Sequence, residues 1–361
     1  MMVTIHDVAK RAGVSISTVS NVLNKNKYVS DDLVRQVNAA VEELKYTANP
    51  IAKKMKIKNT KTIGVITADL CGLFYPYILK GMYDTLNAKG YRLVIMDNDG
   101  VNDSLGGIKK FQESITGLVR DRMDGIVFAS TVPEEIEASI LRDIMNLPSF
   151  RNNTGFVSIE KNLTKYGIDS VYVDSEAEAE IATNHLIDIG CHKIGHIAGP
   201  FFVTIAQDRV RGFKKTMIKH NFDMDEDKMI VYGDYTHKSG YTAMKELLVK
   251  MPDIDGVFVA NDQMSVGAMK ALFETGKKIP DDVKLIGYDN VFIAGVLEPS
   301  LSTIHVQKYE IGKDAAELLL SHIEESRDST SHGTGIELEP KLIVRKSTVK
   351  NAPNDWILTD W

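Results

Sequence analysis

Apolar residues recur at two different periods along this 361-residue chain, and the change falls near residue 60. Up to Leu44 they follow helical spacing. Ile5, Val8 and Ala9 form a short stripe closed by Gly13, which tolerates the left-handed backbone that ends a helix. Thr4 caps this stripe, with Asp7 three residues on as the reciprocal acid. Ser15 caps a second helix with Thr18, Val19, Val22 and Leu23 inward. Ser30 and Asp31 open a third along Leu33, Val34, Val37, Ala40, Val41 and Leu44. From Lys61 the pattern changes to short β-branched runs, at 62–67, 92–97, 124–129, 155–160, 170–174, 193–199, 228–233, 255–260 and 284–289. Between most of them lie amphipathic stretches such as 76–89, 175–189, 207–220, 239–250 and 262–275. That alternation predicts parallel sheets covered by helices on both faces, with too many strands for one compact sheet of this length.

Composition narrows the class. With 43% hydrophobic and 25% charged residues the chain is globular, and its length implies two or three domains. Cys71 and Cys191 stand far apart with no metal spacing, which points to a reducing compartment. The charged N-terminus does not read as a signal peptide and no run approaches the length of a membrane span, so a cytoplasmic protein is expected. The net charge of −6 hides an asymmetry. Residues 1–60 hold ten Lys/Arg against five Asp/Glu, leaving −11 on the other 301 residues. A basic head on an acidic body implies a polyanion partner for the head alone.

The head's spacing matches that chemistry. Ala9, Gly13, Val14 and Val19 meet the packing needs of a helix-turn-helix: a small residue where helices meet, a glycine at the turn and apolar anchors behind it. The second helix then enters the major groove and presents Ile16, Ser17 and Asn21. Asn21 is suited to adenine, Ile16 to a thymine methyl, and Ser17 reads ambiguously. The linker YTANPIAKKMKIKNTK, 46–61, places Pro50 after a capping Asn49, with Ile51, Ala52 and Met55 on one face and lysines on the others. A helix so short is marginal alone, so it is expected to order only on DNA.

The run TIHDVAKRAGVSISTVSNVLN, with VS at 29–30 and ELKYTANPIAKKM, resembles the head of the LacI/GalR family of bacterial transcription repressors. The resemblance implies DNA contacts from Thr4, Ser15, Ile16, Ser17, Thr18, Asn21, Asn24 and Tyr46 in a headpiece of 1–46. It adds Asn49, Ala52, Lys53 and Met55 in a hinge of 47–60. Met55 stands where the family usually has the leucine that wedges into the minor groove. The body resembles the family's effector domain, which shares its fold with periplasmic sugar-binding proteins. One subdomain is then expected over 61–173 and 304–333, the other over 174–303 and 334–349, with three crossovers and a tail of 350–361.

Several residues are expected at the cleft. Phe74 and Tyr75 follow the first strand, where aromatic rings stack on a sugar or a flat base. In GPFFVTIAQDRVRGF the resemblance assigns the ligand-gripping arginine to Arg209 rather than Arg211, and in IGYDN it assigns a ligand acceptor to Asp289. Asn261 is expected in the cleft beside a helix cap at Asp262. Asp174 is either a cleft residue or the cap of helix 175–189. Val203 and Ile205 stand where purine-binding members carry polar contacts, and Val306 replaces a common glutamine. A sugar or sugar derivative is therefore the expected effector.

No HExxH, GxSxG or phosphate-loop motif occurs, so neither catalysis nor a cofactor or metal is expected, and Asp97–Gly100 reads as a turn rather than a calcium loop. The reading that results is a homodimeric, ligand-controlled repressor on a palindromic operator. Helices 76–89 and 307–325 are expected at the dimer surface, and the tail carries no tetramer-forming heptad. The alternatives are a regulator of the same fold governed by a protein co-effector, as some members are by a phosphocarrier, and a sugar receptor without a DNA role.

Overall fold

The computed structural model describes residues 3–24, 27–46, 60–98, 104–147, 150, 154–325 and 333–353. The chain divides into two compact units, Met1–Thr60 and Lys61–Trp361. The expected hinge residues Asn49, Ala52, Lys53 and Met55 lie outside the described residues, as does the tail from 354.

The described residues of the first unit form three helices, α1 (Ile5–Ala12), α2 (Ile16–Asn24) and α3 (Asp31–Glu43). The amide and hydroxyl of Thr4 both donate to Asp7 Oδ2 at 2.8 Å, which starts α1 and holds the Asp7 carboxyl below its usual range. Gly13 ends it at a φ of 65°. The Ser15 hydroxyl accepts from the Thr18 amide at 3.1 Å and opens α2. Val8, Ala9, Val19, Val37 and Ala40 close a small core from all three helices.

The second unit holds two six-stranded sheets. The first comprises β1 (Thr62–Thr67), β2 (Arg92–Asp97), β3 (Gly125–Phe128), β4 (Gly155–Glu160), β5 (Asp169–Tyr172) and β11 (Gly335–Glu337). They are all parallel, in the order β11-β5-β4-β3-β1-β2. The second comprises β6 (Ile194–Ala198), β7 (Ile230–Tyr232), β8 (Gly256–Val259), β9 (Lys284–Asp289), β10 (Ser302–His305) and β12 (Lys341–Ile343). Their order is β12-β10-β9-β8-β6-β7, and only β12 runs antiparallel. β1 and β8 are buried along their whole length, as strands covered on both faces must be.

The chain crosses between the sheets after Tyr172, after His305 and after Glu337. The last two crossings come later than the expected 303/304 and 333/334, because β10 pairs with β9 and β11 with β5. β11 and β12 are three residues long and largely unburied, too short to show a period in the sequence. Helices α4 (Tyr75–Ala88) and α13 (Lys308–Glu325) pack on each other backbone to backbone. A Cβ on Gly81 would strike the Tyr309 carbonyl, and one on Gly312 the Ile78 carbonyl. The two helices expected to meet a second subunit thus spend one face each on one another. No described helix is long and apolar enough to cross a membrane.

Candidate functional site

Strand order reverses at β1, between β2 and β3, and at β6, between β7 and β8. In doubly wound sheets a crevice opens at the carboxyl ends beside such points. A cavity of about 350 Å³ lies there. Its first wall comes from the loop after β1 (Ala68, Asp69 and 71–75), from Ser130 and Thr131 after β3, and from Glu160 at the end of β4. Its second wall comes from Pro200, Phe202, Val203 and Ile205 after β6, from Asp234, Tyr235 and Thr236 after β7, and from Asn261, Asp289 and Arg209.

Three of these residues have left-handed backbones without being glycine: Glu160 at φ 74°, Tyr235 at 68° and Asp289 at 102°. Such conformations cost of order 1–3 kcal/mol each and persist only where the surroundings impose them. Arg209, on α8 (Thr204–Lys219), is 6% exposed. Its Nη1 donates to the Ala260 carbonyl at 2.9 Å and its guanidinium lies 3.6 Å from the Tyr288 ring centroid. Its Nε and the Tyr235 hydroxyl are buried with no hydrogen-bond partner among the described residues. Arg211 is at the surface, paired with Glu176 and Asp208.

The Tyr75 hydroxyl donates to Glu160 Oε2 at 2.6 Å. Burial raises the Glu160 carboxyl above its usual range and the Asp289 carboxyl well above it, against the pull of Arg209 on both. Behind the wall, Lys161 pairs with Glu137 at 2.6 Å and donates to the Val132 carbonyl at 2.8 Å. The Ser130 hydroxyl donates to Glu137 Oε1 at 2.5 Å. This buried network fixes Ser130 and the end of β4, so that part of the cavity wall is preformed.

Two cleft expectations are corrected. Asp174 is exposed and caps α7 (Ser175–Asp188), accepting from the Glu176 and Ala177 amides at 3.1 and 3.0 Å, and it does not line the cavity. Both first-turn amides donate to its Oδ1, the geometry of a helix cap. At the start of α11 (Asp262–Glu274) the cap is Asn261, whose Oδ1 accepts from the Met264 amide at 2.8 Å and whose Nδ2 donates to the Tyr235 carbonyl. Asn261 still lines the cavity. Asp262 is buried, accepts from the Val291 amide and the Thr303 hydroxyl, and is pushed up to about 7 by burial. Phe74 lines the cavity with its ring edge-on to Tyr75, centroids 5.4 Å apart.

In the head, Ile16 and Ser17 are exposed at the start of α2 and Asn21 is half-buried one turn on. The Ser15 hydroxyl holds those of Ser17 and Thr18 at 2.7 and 2.8 Å. Asn24 ends α2, and Tyr46 packs against the head's core. Lys10 and Arg11 lie exposed near the turn, Arg11 paired with Glu43.

Residues 4–49 match the description "Bacterial regulatory proteins, lacI family", and residues 183–348 match "Periplasmic binding protein-like domain". The HTH-type transcriptional repressor PurR of Vibrio campbellii is 32% identical over 97% of this chain and 99% of its own length. The chain belongs to the LacI family. The ribose operon repressor of Halalkalibacterium halodurans is also 32% identical, over 96% of this chain and 97% of its own. Among solved structures, the CelR–cellobiose complex is similar at 27% identity with a TM-score of 0.68, covering 96% and 99% of the two chains. The lac repressor bound to ONPG in the repressed state gives 25% and 0.77, covering 96% and 100%. The protein is thus a LacI-family, DNA-binding transcription regulator with a helix-turn-helix head and a periplasmic-binding-protein-like body.

Three residues of this LacI-family cavity escape the sequence pattern: Glu160, Tyr235 and, behind Asp289, Lys308. Lys308 is fully buried at the start of α13. Its Nζ donates to the carbonyls of Asp289 at 2.6 Å, Val306 at 3.0 Å and Asn290 at 3.4 Å. A lysine before an amphipathic helix reads as surface, and only the fold turns it inward.

Proposed function

We propose that this regulator is a repressor whose grip on a palindromic operator is set by a small carbohydrate held in the cavity between the two sheets. One observation carries the reading: both walls, at the carboxyl ends of strands from two sheets, supply polar groups to one cleft. Asp289 and Glu160 offer acceptors for hydroxyls, Arg209 and Tyr235 offer donors, and Phe74 and Tyr75 offer ring faces. Val203 and Ile205 put apolar surface on the same wall, which suits a sugar's carbon face better than a purine edge. The CelR–cellobiose complex is a sugar-bound relative of the same shape.

Such a ligand couples to DNA when it and the operator favour different arrangements of the two subdomains. The protein acts by binding rather than by chemistry, in the cytoplasm where its operator lies. It acts as a homodimer, because a palindrome needs two heads. The edge strand β2 supports the second copy: Val94, Ile95 and Met96 are each more than a third exposed at the open edge of the first sheet, with Tyr83 half-exposed on α4. Titration calorimetry of the intact protein against monosaccharides, disaccharides, nucleosides and purines tests the ligand class. Sugar binding lost in Asp289→Ala supports it, and binding of purines alone contradicts it.

A further inference from the structure

The loop after β6 turns one aromatic ring into the cavity and the next one out. Pro200 and Phe202 line the cavity, while Phe201 between them is 68% exposed. Its ring meets Tyr232 edge-on, centroids 5.4 Å apart and planes at 82°. Tyr232 ends the edge strand β7 and is 41% exposed, two residues before the cavity residue Asp234. Together the two rings form a small exposed aromatic patch on segments that continue directly into the cavity wall.

Two contacts restrain the backbone that carries Phe201 beside the cavity. The Gln207 side chain donates to the Phe201 carbonyl at 2.7 Å and holds the turn. Gly199 lies flat against the Tyr235 ring, and a Cβ there would strike it. The loop is thereby clamped between a cavity ring, Tyr235, and an outer ring, Tyr232. The cavity itself is at the small end of ligand pockets, which run about 300–1,000 Å³. Its charged and hydroxyl groups face one another across that volume, whereas Phe201 and Tyr232 offer ring faces and edges and a single hydroxyl.

We propose that Phe201 and Tyr232 form a second subsite that stacks the outer ring of a two-ring sugar whose inner ring occupies the cavity. The effector is then a disaccharide or an aryl glycoside rather than a free monosaccharide. The proposal rests on the carbohydrate reading of the cavity and adds the outer ring to it. A preformed aromatic shelf raises affinity at little ordering cost and takes no part in gripping the inner ring.

The test is calorimetry of the full chain with glucose, galactose and their methyl glycosides against cellobiose, lactose, maltose and the corresponding nitrophenyl glycosides. The expected result is a two-ring sugar bound about tenfold more tightly than its one-ring parent, the scale of one good aromatic contact. Phe201→Ala removes that margin and leaves the one-ring affinity unchanged, and Phe201→Trp restores it. A one-ring sugar bound as tightly as every two-ring sugar overturns the outer subsite, as does a margin that survives Phe201→Ala. Failure of every sugar to bind overturns the carbohydrate reading and the subsite with it.

Discussion

Lys308 Nζ donates to the Asp289 carbonyl at 2.6 Å, and the two residues belong to different parts of the effector unit. Asp289 ends a strand of the second sheet with its carboxyl in the cavity, while Lys308 opens α13, the helix packed against α4. α4 begins at Tyr75, on the opposite cavity wall. A fully buried lysine capping a left-handed carbonyl is a rigid link from the cavity-lining Asp289 to that helix pair.

Lys308→Met removes the Nζ donor from the carbonyls of Asp289, Asn290 and Val306, of which Val306 keeps the Lys308 amide, and frees the Asp289 backbone to relax. The variant is expected to fold with reduced stability and to bind the effector at least tenfold more weakly, as a lost charge-assisted bond does. Lys308→Arg recovers part of the affinity if the cation matters and none if only packing does. Calorimetry on the three proteins separates the two.

Glu178 gives a pH signature. It is fully buried, neither carboxyl oxygen has a hydrogen-bond partner among the described residues, and burial pushes it up to about 8 against the pull of Arg209. The folded state therefore holds this proton more tightly than the unfolded state, so this group makes stability fall as pH rises from about 4.5 to about 8. Glu178→Gln removes that fall. Its Tm should lie close to the wild type's at pH 5 and exceed it at pH 8.5 by several degrees, because a carboxyl raised from about 4.5 to about 8 costs the folded state a few kcal/mol once it must ionise. Equal differences at both pH values would exclude the titration.

The edge strand predicts the assembly. Ile95→Lys places a charge on the open edge of the first sheet, where Val94 and Met96 are also exposed. Sedimentation should show a folded monomer in place of the dimer, and operator affinity should fall steeply because one head reads half a palindrome. A dimer unchanged by Ile95→Lys would place the second copy elsewhere.

Base reading by the head and phosphate contact by the hinge should separate on mutation. Asn21→Ala should change base preference at one operator position by about 1–3 kcal/mol. Lys53→Ala should weaken all sequences alike and flatten the salt slope by about one unit. Binding to selected and scrambled duplexes at several salt concentrations distinguishes them.

These residues also show where the sequence is informative. The three-helix head is legible because its caps and its glycine are local signals, and the long strands because buried parallel strands are continuous apolar runs. Arg209 and Asp289 stand out through the family motif around them. Asp174 and Asn261 do not resolve, because an Asp or Asn between a strand and a helix serves equally as a cap or as a ligand, and only the amide geometry decides. Glu160 and Tyr235 owe their cavity positions to left-handed backbones that no side-chain pattern announces. Lys308 is concealed by its own chemistry, since lysine is almost never fully buried.

The most direct test of the central claim is the operator Kd with and without the cavity ligand, measured by fluorescence anisotropy on a palindromic duplex selected by the protein itself. The wild type should show a shift of at least about fivefold on adding the ligand. Asp289→Asn should keep its ligand-free operator affinity and lose the shift. A ligand that binds the wild type by calorimetry yet leaves its operator Kd unchanged, or a full shift in Asp289→Asn, would contradict control of the head through this cavity.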